Sequence, residues 1–412
     1  MFEAFTSKNA AAHLYLCKTY IRLDEECAKY IGAYTAGMFE VGLVVLMLAR
    51  ISSTKTACKN MEGNDVDWFA ALKLPPNADN SKGYSFVYFD STQTEWKKSS
   101  ELINSRKSAI GVTVDQIYEK STRKMFKIAY NDDSPIRDAE SGRGHSKGVA
   151  LFDEKNGFWL LHSVPNYPPI NRPLEVSVTE KYDYPESGAK YAQSFLCLSL
   201  DADVLPEIGQ YMRFAQVTPF IANLPDYFKK LAPVLQDVVG KKSLGRSDTI
   251  YNITASIKTL EGKKITIFSK HKKSRSDLWH DFIAQNIKAQ MAVETWRKGV
   301  AKDVGARCDE DKYHVYDINS LTVLGAKYSY SNDHSKWGIS LDKKVPVVCI
   351  GDINRQESQF KRGGGAVCMK DEKLWKTFYN SIYDYVGCGV KKLKREPSEK
   401  WTNFSPKFEF FN

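Results

Sequence analysis

The sequence predicts a mixed α/β protein made of two similar halves that share one active site. Strand-like and helix-like segments occur throughout its 412 residues, a mixture typical of the α/β and α+β classes. A hydrophobic content of 42% with 12% aromatics supports a packed core rather than general disorder. A short motif also recurs together with its surroundings, once in each half of the chain, which indicates a duplicated unit.

Local patterns predict the individual elements in chain order. Residues 83–90 alternate like a strand, and residues 148–153 and 157–162 are short apolar runs joined by a polar turn, as in a β-hairpin. Residues 278–296 and 374–386 carry apolar side chains at helical spacing, so we expect helices there.

The domain organisation follows from composition. The segment 239–246, VGKKSLGR, is rich in Gly, Lys and Ser and predicts a junction between an N-terminal half, residues 58–240, and a C-terminal half, residues 247–412. The longest apolar run, 41–49, lies in a predicted signal peptide over residues 38–57, with a buried helix as the alternative. Residues 1–37 fit no signal pattern and are interpreted as a helical extension or a gene-model artefact.

Charge and cysteine usage narrow the class of protein. The 59 Lys and Arg against 49 Asp and Glu give a net charge of +10, which permits a polyanionic partner without establishing one. No apolar run approaches the roughly 18 residues of a membrane span. Six of the eight cysteines follow Met38 and form no CxxC pair, which predicts three disulfides in an oxidising compartment. Sequons at Asn252 and Asn403 add a weak prediction of glycosylation.

The internal repeat is the most informative feature. The segments HSKGVALFDEKNGFWLLHS, from His145, and HSKWGISLDKKVPVVCIGD, from His334, both open with His-Ser-Lys. Both carry an aspartate eight positions later, Asp153 and Asp342, and both then enter an apolar run. Two such units, one in each half, predict a single site where the halves meet.

The repeated motif suits phosphodiester chemistry. If each His-Ser-Lys lies on a strand, His145 and Lys147 project from one face, as do His334 and Lys336. Lysines supply positive charge for a phosphate, while one imidazole attacks phosphorus and the other protonates the leaving oxygen. One neutral and one protonated histidine are needed, which favours mildly acidic pH. Such a site needs neither metal nor cofactor.

Several further residues have open interpretations. His162 ends an apolar strand as either a structural or a site histidine, and Asn354 in GDINR is a turn or a site residue. The adjacent Asp132 and Asp133 are expected to form a turn. The RGGG segment from Arg362 is either a phosphate-cradling loop or, as we expect, a flexible loop between two cysteines. The histidines at 271 and 280 lie among charged residues and are expected at the surface.

These residues carry a family resemblance. The blocks YNDDSP, GRGHSKGV, GFWLLHSVPNYPP, DHSKW and GDINR with RGGG stand in order between residues 58 and 388. The chain resembles the deoxyribonuclease II family, acid endonucleases in the phospholipase D-like superfamily. The resemblance implies a phospholipase D-like pseudo-dimer of two α/β halves around one active site. It also implies metal-independent, sequence-nonspecific hydrolysis of DNA that leaves 3′-phosphate ends, in a lysosomal or secreted protein.

The resemblance carries specific residues with it. The match does not settle which histidine is the nucleophile; we assign His145 to that role, His334 to the general acid and His162 to orientation or proton transfer. The full set of implied catalytic residues is His145, Lys147, His162, His334, Lys336 and Asn354. The implied disulfides are Cys58–Cys197, Cys308–Cys388 and Cys349–Cys368.

Two alternatives to an acid nuclease stay open at this point. One is a catalytically silent secreted binding or effector protein, and the other is a phospholipid substrate. The chain departs from the family pattern at Gly338, where many relatives carry Cys, but at none of the implied catalytic positions.

Overall fold

The computed structural model describes residues 55–170, 182–388 and 393–394. The described residues belong to one compact unit. The interpretations of residues 1–37, of most of the predicted signal peptide and of the sequon at Asn403 lie outside the described residues. Ala57, at the end of that predicted peptide, is buried, and its carbonyl accepts a hydrogen bond from Gln116 Nε2 at 2.9 Å.

The first large sheet has eight strands, all paired antiparallel, in the order β10-β6-β7-β8-β9-β3-β4-β5. A separate two-stranded ribbon, β1 with β2, precedes it. The strands of this part of the chain are β1 Cys58–Lys59, β2 Asp65–Val66, β3 Trp68–Lys73, β4 Phe86–Asp90, β5 Lys97–Lys98, β6 Phe126–Asn131, β7 Lys147–Phe152, β8 Asn156–His162, β9 Gln193–Asp201 and β10 Pro219–Asn223.

The second large sheet has ten strands in the order β11-β12-β18-β17-β16-β13-β14-β19-β20, with β15 also paired to β14. The pairing of β13 with β14 is parallel, and the others are antiparallel. The strands are β11 Asn252–Lys258, β12 Lys264–Lys270, β13 Met291–Glu294, β14 Val315–Val323, β15 Ala326–Ser329, β16 Trp337–Ser340, β17 Val347–Gly351, β18 Gly364–Lys370, β19 Ile382–Val386 and β20 Leu393–Lys394.

The helices are short, and their ends follow ordinary capping chemistry. The Asp371 side chain accepts a hydrogen bond from the Leu374 amide at the start of the helix Glu372–Ser381, while a left-handed Gln216 ends the helix Leu205–Ala215. The helices are α1 Ala109–Asp115, α2 Glu186–Ala189, α3 Leu205–Ala215, α4 Asp226–Leu231, α5 Val234–Val239, the π-helix Leu278–Ala284, α6 Gln285–Ile287 and α7 Glu372–Ser381. Single 3₁₀ segments lie at Gln116–Tyr118, Lys120–Lys124, Ala202–Val204, Lys272–Ser274, Tyr330–Asn332 and Glu357–Lys361.

The mixed α/β class is confirmed, and so is the hairpin β7–β8, in which Gly148 pairs with Leu161. The two predicted helices are only partly correct. The first ends at a left-handed Lys288, after which the chain continues as β13; the second stops at Ser381 and continues as β19. Strand β13 is buried between two neighbours, so its run of apolar residues resembles a buried helix face.

The largest hydrophobic core combines side chains from both sheets with α3 and α7. The Trp159 ring packs edge-on against Tyr211 of α3, with 4.9 Å between ring centroids. Phe378 of α7 packs against Trp96 at 5.0 Å and against Trp337 at 4.8 Å, so it joins the two sheets. Two smaller clusters cover the opposite faces, one beneath α1 and one beneath the π-helix.

Both sheets contain the same four-stranded antiparallel meander. In the first sheet it runs β6-β7-β8-β9, and in the second β13-β16-β17-β18. Each His-Ser-Lys motif leads into the second strand of its meander, since Lys147 begins β7 and Lys336 directly precedes β16. The repeated sequence therefore corresponds to a repeated strand order.

Two short backbone bridges join the meanders beside the motifs. Gly144 bridges Gly363, and Ala192 bridges Asp333, both in parallel orientation. The amide of His145 donates to the Gly363 carbonyl and the amide of His334 to the Ala192 carbonyl, each at 2.9 Å. We call these two bridges the seam. Each motif histidine is thus hydrogen-bonded through its backbone to the opposite sheet.

The seam requires glycine where it passes the end of α3. A Cβ added to Gly144 would lie 1.9 Å from the Ala215 carbonyl oxygen, and one on Gly363 would lie 2.5 Å from the same atom. Any side chain there forces the loop away from the helix.

Gly144→Ala should therefore destabilise the fold and displace His145. We expect a loss of about 1–3 kcal/mol in the free energy of unfolding, the usual range for overpacking, measured by urea denaturation. Gly142→Ala is the matched control, since a Cβ there meets no described atom within 4 Å and the position is not left-handed. Equal stability of the two variants would contradict this account of the seam.

Candidate active site

The two motifs converge at the ends of β7, β8 and β16. Burial is the main cause that lowers the pKa of His145 and of His334, and each ring is also close enough to the lysine of the other motif, Lys336 or Lys147, for its charge to lower that pKa further. His162 lies at the end of β8, beside the start of β7, and its pKa responds to Lys147 as well. Five of the six residues expected at the site are therefore close enough to act on one another electrostatically.

A carboxylate holds the first motif in place. The buried Asp132 forms an ion pair with Lys147 through Oδ1 and accepts a hydrogen bond from the Arg362 guanidinium at 2.8 Å through Oδ2. The same Oδ2 lies 3.9 Å from His145 Nε2. Burial alone would raise the pKa of Asp132, but Lys147 and Arg362 outweigh it and lower that pKa. Asp132 is thus an anion at the centre of three basic groups.

The turn expected at Asp132 and Asp133 is therefore only part of their role. Asp133 does sit in a turn, where Asn166 Nδ2 donates to its Oδ1 at 3.0 Å. Asp132 belongs to the site, which the sequence interpretation missed. The available signal was its position directly after β6, the strand that pairs with β7 and sets Asn131 opposite Lys147.

Arg362 crosses from the second half of the chain to the first. Its guanidinium donates to the carbonyls of Gly144 and Glu140 as well as to Asp132. The expectation of a flexible loop at RGGG was wrong, because Gly363 is buried in the seam and Gly364 begins β18. Arg362 therefore holds the loop that leads into the first motif, and its hydrogen bonds are made to that loop and to Asp132.

His334 is oriented by oxygen acceptors on the first half of the chain. Its Nδ1 lies 3.0 Å from the Ser163 carbonyl oxygen and 3.3 Å from Gln193 Oε1. Since a carbonyl can only accept, the neutral ring carries its proton on Nδ1 and leaves a lone pair on Nε2. Lys336 Nζ donates to the His334 carbonyl at 2.6 Å and lies 3.3 Å from Nδ1.

His162 and Asn354 are also expected at the site. Both are buried, and each has a side-chain polar atom with no hydrogen-bond partner among the described residues. His162 Nδ1 accepts from the Val164 amide at 3.2 Å, and its ring packs edge-on against Tyr167, while Nε2 has no partner among the described residues. Asn354 follows β17 and is buried, and its Oδ1 likewise has no hydrogen-bond partner among the described residues. Its side chain forms no hydrogen bond with the motif residues in the described part of the chain.

The site strongly disfavours protonated imidazoles. Burial lowers the pKa of His145, His162 and His334 well below the ordinary value, and the neighbouring lysines lower it further. Burial and the charge of Lys147 likewise lower the pKa of Lys336. In the free protein the three histidines are therefore neutral at mildly acidic pH, so a protonated histidine requires an added negative charge, such as a bound phosphate.

Two histidines expected at the surface are buried instead. His271 hydrogen-bonds Ser243, and His280 lies behind Asp281 at the π-helix. Neither contacts the motif residues. Packing from distant segments buries them, which their charged sequence neighbours did not reveal.

The three disulfides implied by the family resemblance are confirmed. They are Cys58–Cys197, Cys308–Cys388 and Cys349–Cys368. The described residues contain one group with metal-ligand spacing, His314 with Cys308 and Cys388. Because those two sulfurs are bonded to each other, they offer no thiolate to a metal ion.

Comparison with known proteins defines the family. The model of the family "Deoxyribonuclease II" matches residues 57–388. The chain belongs to the deoxyribonuclease II family. It is therefore a deoxyribonuclease II-like endonuclease, a phosphodiester hydrolase, as the resemblance of the sequence implied.

The similarity to individual family members spans most of each protein. The chain is 39% identical over 347 residues to cell-death-related nuclease 7 of Caenorhabditis elegans, covering 84% of this chain and 92% of the relative. It is 32% identical over 354 residues to deoxyribonuclease-2-beta of Rattus norvegicus, covering 84% and 96%. It is 30% identical over 358 residues to plancitoxin-1 of Acanthaster planci, covering 84% and 97%.

The disulfides of this deoxyribonuclease II-family chain are typical of proteins that pass through the secretory pathway. Within residues 55–170, 182–388 and 393–394, none of the helices is both long and apolar enough to traverse a bilayer.

Anion binding at this site should be coupled to proton uptake. The three histidines have pKa values depressed below about 6.5, so their contribution to stability is lost as pH falls below that value. A bound anion raises these pKa values. We therefore expect sulfate, whose charge is the same at both pH values, to stabilise the protein more at pH 5 than at pH 7.5.

The measurement is the thermal midpoint in sulfate against chloride at matched ionic strength. The excess stabilisation at pH 5 should reach about 1 kcal/mol and should largely disappear in His334→Asn. An equal sulfate effect at both pH values in the wild type would contradict the coupling and leave only the general salting effect of sulfate.

Proposed function

We propose that the protein is an acid endodeoxyribonuclease that hydrolyses DNA phosphodiester bonds through two histidines, without a metal ion. The observation that carries this proposal is the convergence of both His-Ser-Lys motifs in one site, where the lysines are buried and the histidines are half-buried. Nucleophile, proton donor and phosphate-binding charge are all available there from His145, His334, Lys147 and Lys336. The Asp132 carboxylate is already engaged by Lys147 and Arg362.

The substrate phosphate supplies the charge that the free site lacks. Lys147 and Arg362 pair with Asp132, while Lys336 is close enough to Asp333, Asp132 and Asp352 to feel their charge. A phosphodiester between the motifs adds negative charge beside both motif histidines and raises the pKa of each. Contacts to phosphate alone carry no sequence information, so cleavage is nonspecific.

In the first step, a ring nitrogen of His145 attacks phosphorus and the bond from phosphorus to the 5′-oxygen breaks. His334, protonated in the complex, donates its Nε2 proton to that oxygen and becomes the neutral Nδ1–H form, which the Ser163 carbonyl stabilises. The product is a phosphohistidine whose phosphate is still joined to the 3′-oxygen of the nucleotide on the 5′ side of the cut. Asp132, 3.9 Å from His145 Nε2, stabilises the positive charge that develops on the ring.

In the second step, His334 Nε2 takes a proton from water as the water oxygen attacks phosphorus. The nitrogen–phosphorus bond breaks, His145 is regenerated and a 3′-phosphate end leaves. When the product phosphate leaves, the low pKa of His334 returns this proton to solvent. The next cycle therefore needs His334 to be protonated again in the substrate complex, a step that acid favours.

The architecture is proposed to be a phospholipase D-like pseudo-dimer, with halves over residues 58–240 and 247–412. The shared order of the two four-stranded meanders supports this reading, as does the absence of helix and strand between Gly240 and Tyr251. Three disulfides and the acid requirement support a lysosomal or secreted location.

Plasmid nicking by His334→Ala tests the nuclease directly. We expect wild-type cleavage at pH 5 that persists in EDTA and falls at pH 7.5, with a loss of about 100- to 10,000-fold in the variant. His314→Gln serves as the control, because His314 lies beside Cys388 and outside the motif cluster. Wild-type protein with intact disulfides that leaves plasmid uncut would favour the catalytically silent binding protein instead.

Asp132→Asn tests the role of the carboxylate beside His145. We expect kcat to fall about 10- to 100-fold, since the cationic ring in the transition state loses its counter-charge. KM for DNA should not rise, because the site becomes more positive. Asp133→Asn is the adjacent control and should keep near-wild-type kcat. A rise in KM at unchanged kcat for Asp132→Asn would assign this residue to substrate binding.

A further inference from the structure

An aromatic pair stands beside His334 that the chemistry above does not use. The Trp296 ring is half-buried, with its centroid 5.3 Å from that of His334. Tyr191 packs edge-on against Trp296 at 4.6 Å. Tyr191 directly precedes Ala192, whose carbonyl holds the backbone of His334 through the seam. The pair is thus fixed to the same backbone as the histidine.

The neighbours of Trp296 alternate between the interior and solvent. Arg297 points inward, is buried and stacks over Tyr330 with 4.2 Å from Cζ to the ring centroid. Lys298 is exposed, and its Nζ lies 5.9 Å from the centroid of Tyr191. Trp296, Tyr191 and Lys298 therefore form one accessible group, a cation next to two aromatic rings.

The two halves differ in the residue that lies opposite the serine of each His-Ser-Lys motif. Strand β6 sets Asn131 opposite Lys147, so continuing the register places Asp132 opposite Ser146. Strand β13 sets Glu294 opposite Trp337, and continuing that register places Trp296 opposite Ser335. The position that holds a carboxylate next to His145 thus holds an indole next to His334.

We propose that Trp296 and Tyr191 form a stacking site for the nucleobase next to the scissile phosphate, with Lys298 contacting an adjacent phosphate. Aromatic rings beside lysine are the usual platform for unpaired bases. The inference rests on the proposed function. Since His334 protonates the leaving 5′-oxygen, the stacked base belongs to the nucleotide on the 3′ side of the cut.

Stacking at Trp296 has a consequence for the conformation of the DNA that is cut. A base inside a duplex is covered by its neighbours, so it must leave the helical stack to reach the indole. Stacking at Trp296 therefore requires the base next to the cut to leave its neighbours before or during binding.

An abasic substitution isolates the contact. We would follow cleavage of end-labelled single-stranded oligonucleotides that carry one abasic residue, and compare the phosphate on its 5′ side with the same phosphate in the intact strand. For wild-type protein we expect cleavage there to slow about 10-fold. Trp296→Ala should slow cleavage of the intact strand by a similar factor and show no further loss on the abasic strand, whereas Trp296→Phe should restore the difference.

Other outcomes decide against the stacking site. If Trp296→Ala slows both strands equally, the indole only supports His334; if wild-type protein cuts the abasic strand at full rate, no base is bound there. Tyr227→Ala, which removes an exposed tyrosine from α4, controls for loss of a surface aromatic and should leave the difference intact. Thermal midpoints confirm that each variant is folded.

A measurement of DNA binding tests this inference separately from the nuclease proposal. Fluorescence anisotropy of a labelled hexanucleotide at pH 5, with His334→Ala as the host protein, requires no cleavage. Adding Trp296→Ala to the His334→Ala protein should weaken its binding of a hexanucleotide with all its bases about 10-fold. Its affinity for a hexanucleotide without bases should not change. If wild-type protein cuts no DNA yet this difference is found, the nuclease proposal fails and the stacking site stands. If the difference is missing, the stacking site fails whatever the cleavage result.

Discussion

The backbone hydrogen bonds of the seam are the constraint on which the rest of the site depends. His145 and His334 are each anchored to a carbonyl of the opposite sheet, at Gly363 and Ala192. Further hydrogen bonds between the two halves then position the side chains. Arg362 donates to Asp132, and the Ser163 carbonyl orients the His334 ring. The close approach of two glycines to the end of α3 makes this arrangement possible. The catalytic geometry is thus a property of the contact between sheets rather than of either sheet.

The electrostatics of the site are incomplete without a ligand. Burial and the neighbouring lysines depress the pKa of each of the three histidines, so the neutral imidazoles are favoured in the free protein. In the proposed mechanism the proton donor therefore forms only when an anion binds. Without a ligand the imidazole of His334 is uncharged, whereas a bound phosphate raises its pKa and favours its protonated form.

The sequence was most informative where information is local or repeated. The His-Ser-Lys repeat and the β7–β8 hairpin could be read from spacing alone, and the disulfide pairing came from family resemblance. Asp132 was missed because its partners Lys147 and Arg362 lie 15 and 230 residues away. The helix predicted over residues 278–296 includes strand β13, because burial on both faces removes the alternation that marks a strand. The burial of His271 likewise depends on segments far along the chain.

The order of elements along the chain determines when a working site can exist. The first motif is made early, but the carbonyl that holds His145 belongs to Gly363, and Arg362 stands next to it. A chain that ends after β15 contains His145 and Lys147 but lacks the second motif, Arg362 and Gly363. The largest hydrophobic core also takes side chains from both sheets, so such a chain lacks part of the packing around the first sheet. The proposed site therefore requires synthesis through β18, because each half supplies the carbonyl that holds the histidine of the other half.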